Sequence, residues 1–301
     1  MVEGGFGALE SSFYRFGSGD VHDRRQILSW WGKLVGGAFG FMLGGPLGAL
    51  LGAALGHRFD KGLEDLPDDA LAWEAGDRER VQTAFFTATF SVMGRVAKAD
   101  GQVSQYEIRL AEQVMTQMSL STEMRQTAIH LFNEGKADGF PLDEVLEQFR
   151  RECHRRQNLI QMFVEIQLQA AYADGQMDAA EEALLLHICD RLNVSEFIYR
   201  RLEQMIRAER HYAGAGPETG RGRQPRQPQQ LTAKDAYAIL NVSERATDKE
   251  VKQSYRRLMS QHHPDKLVAK GLPEEMMKLA AQKTDEIRKA YERIKQVRGM
   301  R

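Results

Sequence analysis

Between Asp77 and Tyr212 apolar residues recur every three to four positions, with no alternating stretches and almost no proline, a pattern that predicts helices throughout. The periodic segments run over about 77–98, 104–118, 121–133, 141–152, 155–173, 178–191 and 195–210. Ser104, Ser121, Asp178 and Ser195 stand where N-caps belong. Ahead of this domain, Leu34 to Gly56 contains no charged residue, and a helix of that length rises roughly 34 Å against a bilayer core of about 30 Å. One transmembrane helix is therefore predicted over 30–57, with Trp30, Trp31 and Lys33 at one end and His57, Arg58 and Lys61 at the other. Abundant glycine and Pro46 in its middle lower its hydrophobicity.

Past the central domain, Ala213 to Gln230 shifts to Gly, Pro, Gln and Arg, the composition of an unfolded tether that leaves the C-terminal residues free to sweep a volume. Helical periodicity then resumes. Lys234 to Leu240 forms a short helix, and a second runs from the N-cap Thr247 to about His262, with Glu250 completing a capping box. Pro264 ends it, because the residue before a proline is pushed out of the α region. A loop leads to a third helix over 274–296, whose apolar face is Met277, Ala280, Ala281, Ile287, Ala290, Tyr291 and Ile294. Val251, Tyr255 and Leu258 recur at helical spacing and pack on it, so that His263-Pro264-Asp265 sits at the apex of an antiparallel hairpin. The expected organisation is an all-α chain with a tail over 1–29, a membrane helix over 30–57, a helical domain over 58–212, a tether over 213–230 and a small module over 231–301.

Composition adds limits. Of 301 residues, 28% are charged and 42% apolar, so a polytopic membrane protein and a wholly disordered chain are both excluded. The net charge of −1 conceals a basic C-terminal module, in which 16 Lys/Arg against 10 Asp/Glu leave +6. Cys153 and Cys189 belong to no C-x-x-C pair and read as free thiols in a reducing compartment, with no zinc site. No nucleophile elbow, phosphate loop or zinc signature is present, so the chain is not expected to be an enzyme or to carry a cofactor or metal.

Glycine recurs every fourth position at Gly32, Gly36, Gly40, Gly44, Gly48, Gly52 and Gly56, which on a helix forms one slowly drifting stripe. Such stripes let helices approach closely in lipid, so Gly36, Gly40, Gly44, Gly48 and Gly52 are the expected homodimer contact. The central domain carries an internal repeat. Ala97-Lys98-Ala99-Asp100-Gly101-Gln102-Val103 returns as Ala171-Tyr172-Ala173-Asp174-Gly175-Gln176-Met177, each aspartate followed seven positions later by Glu107 or Glu181. This spacing matches half of an EF-hand loop, but Val96, Lys98, Ala170 and Tyr172 stand where the remaining oxygen ligands are needed. The preferred reading is a turn, with glycine reversing the chain and the glutamate in the first turn of the next helix.

On its helical background this repeat resembles the TerB-like domain of tellurite-resistance proteins, which implies an interaction module without established chemistry. In the C-terminal module, Asp235-Ala236-Tyr237-Ala238-Ile239-Leu240-Asn241-Val242, Glu250-Val251-Lys252-Gln253-Ser254-Tyr255-Arg256-Arg257-Leu258, His262-His263-Pro264-Asp265-Lys266 and Ile287-Arg288-Lys289-Ala290-Tyr291 together resemble a J domain. That resemblance implies that His263, Pro264 and Asp265 engage a DnaK-type chaperone and favour ATP hydrolysis, while Lys249, Lys252, Arg256 and Arg257 dock on its acidic surface. The basic helix offers few aromatic side chains for stacking on bases, so nucleic acid is not the expected partner. A Gly-rich span, a TerB-like domain and a J domain in this order resemble the bacterial DjlA family. Membership implies a co-chaperone anchored in the inner membrane, N-terminus periplasmic and both domains cytoplasmic, serving an unknown client. The competing expectation is a membrane scaffold or stress sensor whose central domain binds metal, lipid or protein.

Overall fold

The computed structural model describes residues 44–59, 77–99, most of 112–118, 120–172, 176–212 and 231–300. Among these, every regular element is helical: α1 Gly45–Phe59, α2 Asp77–Ala97, α3 Thr122–Gly135, α4 Leu142–Glu152, α5 Gln157–Ala171, α6 Ala179–Arg191 and α7 Glu196–Tyr212 come first. The C-terminal module contributes α8 Ala233–Ile239, α9 Asp248–His262, α10 Pro264–Ala269, a 3-10 turn over Glu274–Met276, and α11 Met277–Arg298. The expected helix over 104–118 and both Asp-Gly turns of the repeat lie largely outside the described residues.

Helix α2 is the axis of the central domain, buried on all sides from Val81 to Gly94. Three of its polar residues tolerate this because their hydroxyls bond back into the helix: Thr83 to the Glu79 carbonyl at 2.9 Å, Thr89 to Phe85 at 2.7 Å and Ser91 to Thr87 at 2.8 Å. Around it, Phe85, Phe149 and Phe163 form an aromatic cluster with centroids 4.6–6.4 Å apart, joining α2, α4 and α5. Against α3 the approach is closer. A Cβ on Gly94 would strike the Phe132 carbonyl, and one on Gly135 the Ser91 carbonyl.

Helix boundaries follow local chemistry. Ser121 accepts from the Met124 amide, and Asp178 and Glu181 form a reciprocal capping box. Glu181, the glutamate of the second repeat copy, thereby accepts from the Asp178 amide at 3.0 Å, as the turn reading expects. Cys153 and Cys189 are free and buried; burial pushes the Cys189 thiol up to about 12 and Cys153 higher still, so both behave as core side chains.

Helix α1 is the described part of the uncharged N-terminal stretch. It starts at Gly45, with Gly44 and Gly45 both in the left-handed region at φ 55° and 60°, and Pro46 lies in its first turn, where a missing amide costs nothing. Leu47, Leu50, Leu51 and Ala54 pack into the central core. The buried Gln148 amide holds the helix start, accepting from the Leu47 amide and donating to the Gly44 carbonyl, each at 2.9 Å. Gly48 is buried, whereas Gly44 and Gly52 are exposed, with open space where a Cβ would project. Gly36 and Gly40 lie outside the described residues, and among the described helices none is long and apolar enough to cross a membrane.

The C-terminal module keeps its own small core, built on Ala236, Ile239, Leu240, Val251, Leu258, Ile287, Ala290 and Ile294. The tether lies outside the described residues, but the module does not stand apart: Leu267, Leu272, Met276 and Ala280 belong to the central core. The segment after His263-Pro264-Asp265, read from sequence as loop, contains α10, with Pro264 opening the new helix as well as closing the old one. In α11 the buried stripe is Ala280, Lys283, Ile287, Ala290 and Ile294; Met277 and Ala281, expected on the apolar face, are exposed.

Candidate functional site

The site is assembled on α9. Thr247 accepts from the Glu250 amide while Glu250 accepts from the Thr247 amide at 2.7 Å, and these bonds hold the Glu250 carboxyl below its usual range. Nearer the middle of the helix, Ser254 donates to the Leu240 carbonyl at 2.6 Å, tying α9 to the end of α8, and Tyr255 stacks on Tyr291 of α11 with centroids 4.2 Å apart. Tyr255 is thus a packing residue. Arg298, which the sequence pattern placed beyond the third helix, closes the module: its guanidinium bonds the Ala246 and Glu244 carbonyls at 2.6 and 2.8 Å, contacts the Tyr237 hydroxyl and pairs with Asp248.

At the far end of α9, His263 leaves the helix with ψ 123° and Pro264 begins α10. The His263 side chain is 47% exposed and that of Asp265 86%, with 3.9 Å between the imidazole Nδ1 and the carboxylate, too long for a hydrogen bond. Two polar side chains are thus offered to solvent at a rigid helix junction, free to bond a partner. His262 and His263 point into different surroundings: His262 is buried 3.6 Å from Glu165, and burial pushes its pKa down. The two imidazoles therefore do not converge, and among the described residues no group of three or more His, Cys, Asp or Glu is placed to hold a metal ion.

Of the four basic residues singled out on α9, Lys249, Lys252 and Arg256 fall on one face by their spacing of three and four, exposed or half-buried. Arg257 lies about 100° further round the helix. It stays exposed at the edge of the central domain, where it lines a cavity of about 130 Å³ with Arg201, Glu165 and His262. Sequence reasoning missed Arg298 and Lys283, both charged residues whose importance comes from distant neighbours.

A helical hairpin with an exposed His-Pro-Asp junction and a basic second helix defines a J domain, here packed against a second helical domain. Family models agree. The DnaJ domain matches residues 235–297, tellurite resistance protein TerB matches 86–204, and the co-chaperone DjlA transmembrane domain matches 28–66. Among curated relatives, co-chaperone protein DjlA of Coxiella burnetii is 48% identical over 275 residues, 91% of this chain and all of the relative. The proteins of the same name from Photobacterium profundum and Escherichia coli K12 are 43% and 41% identical over 90% and 91% of this chain, each again covered in full. The chain belongs to the DjlA co-chaperone family. No solved structure matches it significantly.

Proposed function

We propose that this protein is a membrane-anchored J-domain co-chaperone that stimulates the ATPase of a DnaK-type chaperone and directs it to clients near the membrane. The observation that carries this reading is the exposed His263-Pro264-Asp265 junction, held rigid between a capped basic helix and α10 within the stretch that matches the DnaJ domain. Lys249, Lys252 and Arg256 supply the electrostatic approach to an acidic chaperone surface, and His263 and Asp265 make the contacts that favour hydrolysis. The protein acts as a regulator and performs no chemistry of its own.

Charge reversal tests the docking face. Lys249→Glu with Lys252→Glu and Arg256→Glu is expected to weaken binding of the ATP-bound chaperone to the immobilised full chain by about tenfold or more at low salt. The deficit should shrink as ionic strength rises and screening erases the attraction in the unaltered chain. Arg257→Glu, further round the helix, should weaken binding less. An equal loss at low and high salt would remove the electrostatic account.

The anchor is assigned to the uncharged stretch that starts at Leu34, whose described C-terminal part, α1, packs on the central core; the match to the family's transmembrane domain over 28–66 supports an anchor, and a periplasmic N-terminus with both domains cytoplasmic is proposed with it. Self-association through Gly36, Gly40, Gly44 and Gly52 is proposed for the same segment, with Gly44 and Gly52 open to a partner; Gly48, expected on the same stripe, is buried within the chain and drops out of the contact. Gly40→Leu with Gly52→Leu should then abolish cross-linking between membrane-embedded copies. Cross-linking at the unaltered level would exclude this face as the contact.

A further inference from the structure

The J domain and the central domain share a buried boundary. Four ionisable side chains meet there, two from each side: Glu165 of α5 and Glu209 of α7, facing His262 of α9 and Lys283 of α11, all under 10% exposed. The Lys283 ammonium is 2.6 Å from Glu209 and 3.6 Å from Glu165, which is in turn 3.6 Å from His262. Burial works against the ammonium, yet Glu209, Glu165 and Glu286 together raise its pKa above the usual lysine value, so the cation is retained. A buried ion cluster of this kind contributes little when complete, but it is strongly destabilising once one member is removed. It therefore specifies one docked arrangement.

Around the cluster the fit is close. Leu267, Leu272 and Met276, all from the segment just past His263-Pro264-Asp265, are fully buried in the central core. Gly271 adopts φ 98°, and a Cβ there would stand 2.7 Å from the Val81 side chain of α2. At the rim, Asn158 donates to the Gln261 carbonyl at 3.3 Å and Arg78 pairs with Glu274 at 3.5 Å. One feature opposes docking: Arg257 faces Arg201 across a cavity of about 130 Å³, too small to admit a protein segment. Burial and then Arg257 hold the Arg201 pKa below its usual value.

We propose that the central domain is an intramolecular dock for the J domain, which grips the segment behind His263-Pro264-Asp265 and thereby restrains co-chaperone activity until the dock opens. The partner that fits this surface of the central domain is the chain's own J domain. The restraint rests on the proposed chaperone function; the dock itself does not. His263, Asp265 and the basic residues of α9 remain accessible in the docked state, so the restraint is partial: the tripeptide and the basic face are offered, but the flank at Leu267, Leu272 and Met276 is not.

A charge swap separates docking from folding. Spin labels at Asn133→Cys and Glu292→Cys, both exposed, report the distance between the domains, since Cys153 and Cys189 are buried and will not label. The unaltered full-length chain should give one narrow distance distribution. Lys283→Glu should broaden it, and Lys283→Glu combined with Glu209→Lys should narrow it again. In step with the distances, Lys283→Glu should raise stimulation of the DnaK-type chaperone severalfold and the swap should return it to the starting level. A broad distribution in the unaltered chain, or no broadening by Lys283→Glu, would overturn the dock. Broadening with no gain in stimulation would overturn the restraint. Distances that broaden with Lys283→Glu and narrow again in the swap, with no stimulation by any variant, would reject the co-chaperone function, and with it the restraint, while leaving the dock in place.

Discussion

Asp265→Asn is expected to leave the chain folded and to abolish its stimulation of a DnaK-type ATPase. The Asp265 side chain is 86% exposed and the His263 imidazole lies 3.9 Å away, beyond hydrogen-bond reach, so no bond within the described structure is lost when the carboxylate becomes an amide. Surface changes of this kind normally alter stability by less than about 0.5 kcal/mol. A full loss of stimulation must then come from the partner's side of the contact. An interfacial charge that is desolvated on binding can be worth about 2–5 kcal/mol, which is roughly thirtyfold or more in a rate or affinity. His263→Gln should behave alike. The check is the steady-state ATPase of the chaperone alongside thermal unfolding of each variant. Unchanged unfolding with stimulation at the unaltered level would show that the tripeptide is not the point of action.

The largest expected effect on stability is at the crossing of α2 and α3. Gly94 and Gly135 lie where each helix meets the other's backbone, and a methyl on either would stand closer to a carbonyl oxygen than real side chains do. Alanine would gain about 1 kcal/mol of helix propensity over glycine. That gain is outweighed, because neither carbonyl can move without separating helices that also pack Phe86, Phe90, Leu131 and Phe132. Overpacking a core typically costs about 1–3 kcal/mol, and backbone against backbone belongs at the upper end. With the propensity gain set against it, a net loss of about 2 kcal/mol remains, so Gly135→Ala should lower the melting temperature by roughly 4–8 °C at about 2–4 °C per kcal/mol, and Gly135→Leu should prevent folding of the central domain. A shift under about 2 °C for Gly135→Ala would mean that the two helices cross more loosely than this geometry requires.

Local chemistry decided the features that were legible in the chain alone. The capping pairs Asp178 with Glu181 and Thr247 with Glu250 depend on residues three apart, and each occurs where its spacing predicts. The His263-Pro264-Asp265 junction was legible because proline constrains its own neighbours. Helix α10 escaped because its six residues are too few for periodicity to register, and because Leu267, Leu272 and Met276 find their burial in another domain. Lys283 escaped for the same reason: charge predicts exposure, and the carboxylate at 2.6 Å that overrides that rule lies 74 positions away. In α2, Thr87, Thr89 and Ser91 are polar by residue type, yet neighbours on every side bury them. The expectation of a J domain sweeping freely on its tether likewise depended on contacts that no local pattern records.

The central claim is that the exposed junction acts on the chaperone's nucleotide cycle, and single-turnover ATP hydrolysis tests it most directly. A DnaK-type chaperone preloaded with ATP would be mixed with the full-length protein in lipid vesicles, either unaltered or as His263→Gln. The unaltered protein is expected to accelerate hydrolysis by at least about tenfold, roughly 1.4 kcal/mol of barrier, and His263→Gln is expected not to. Equal rates with both proteins, whether fast or slow, would contradict the claim.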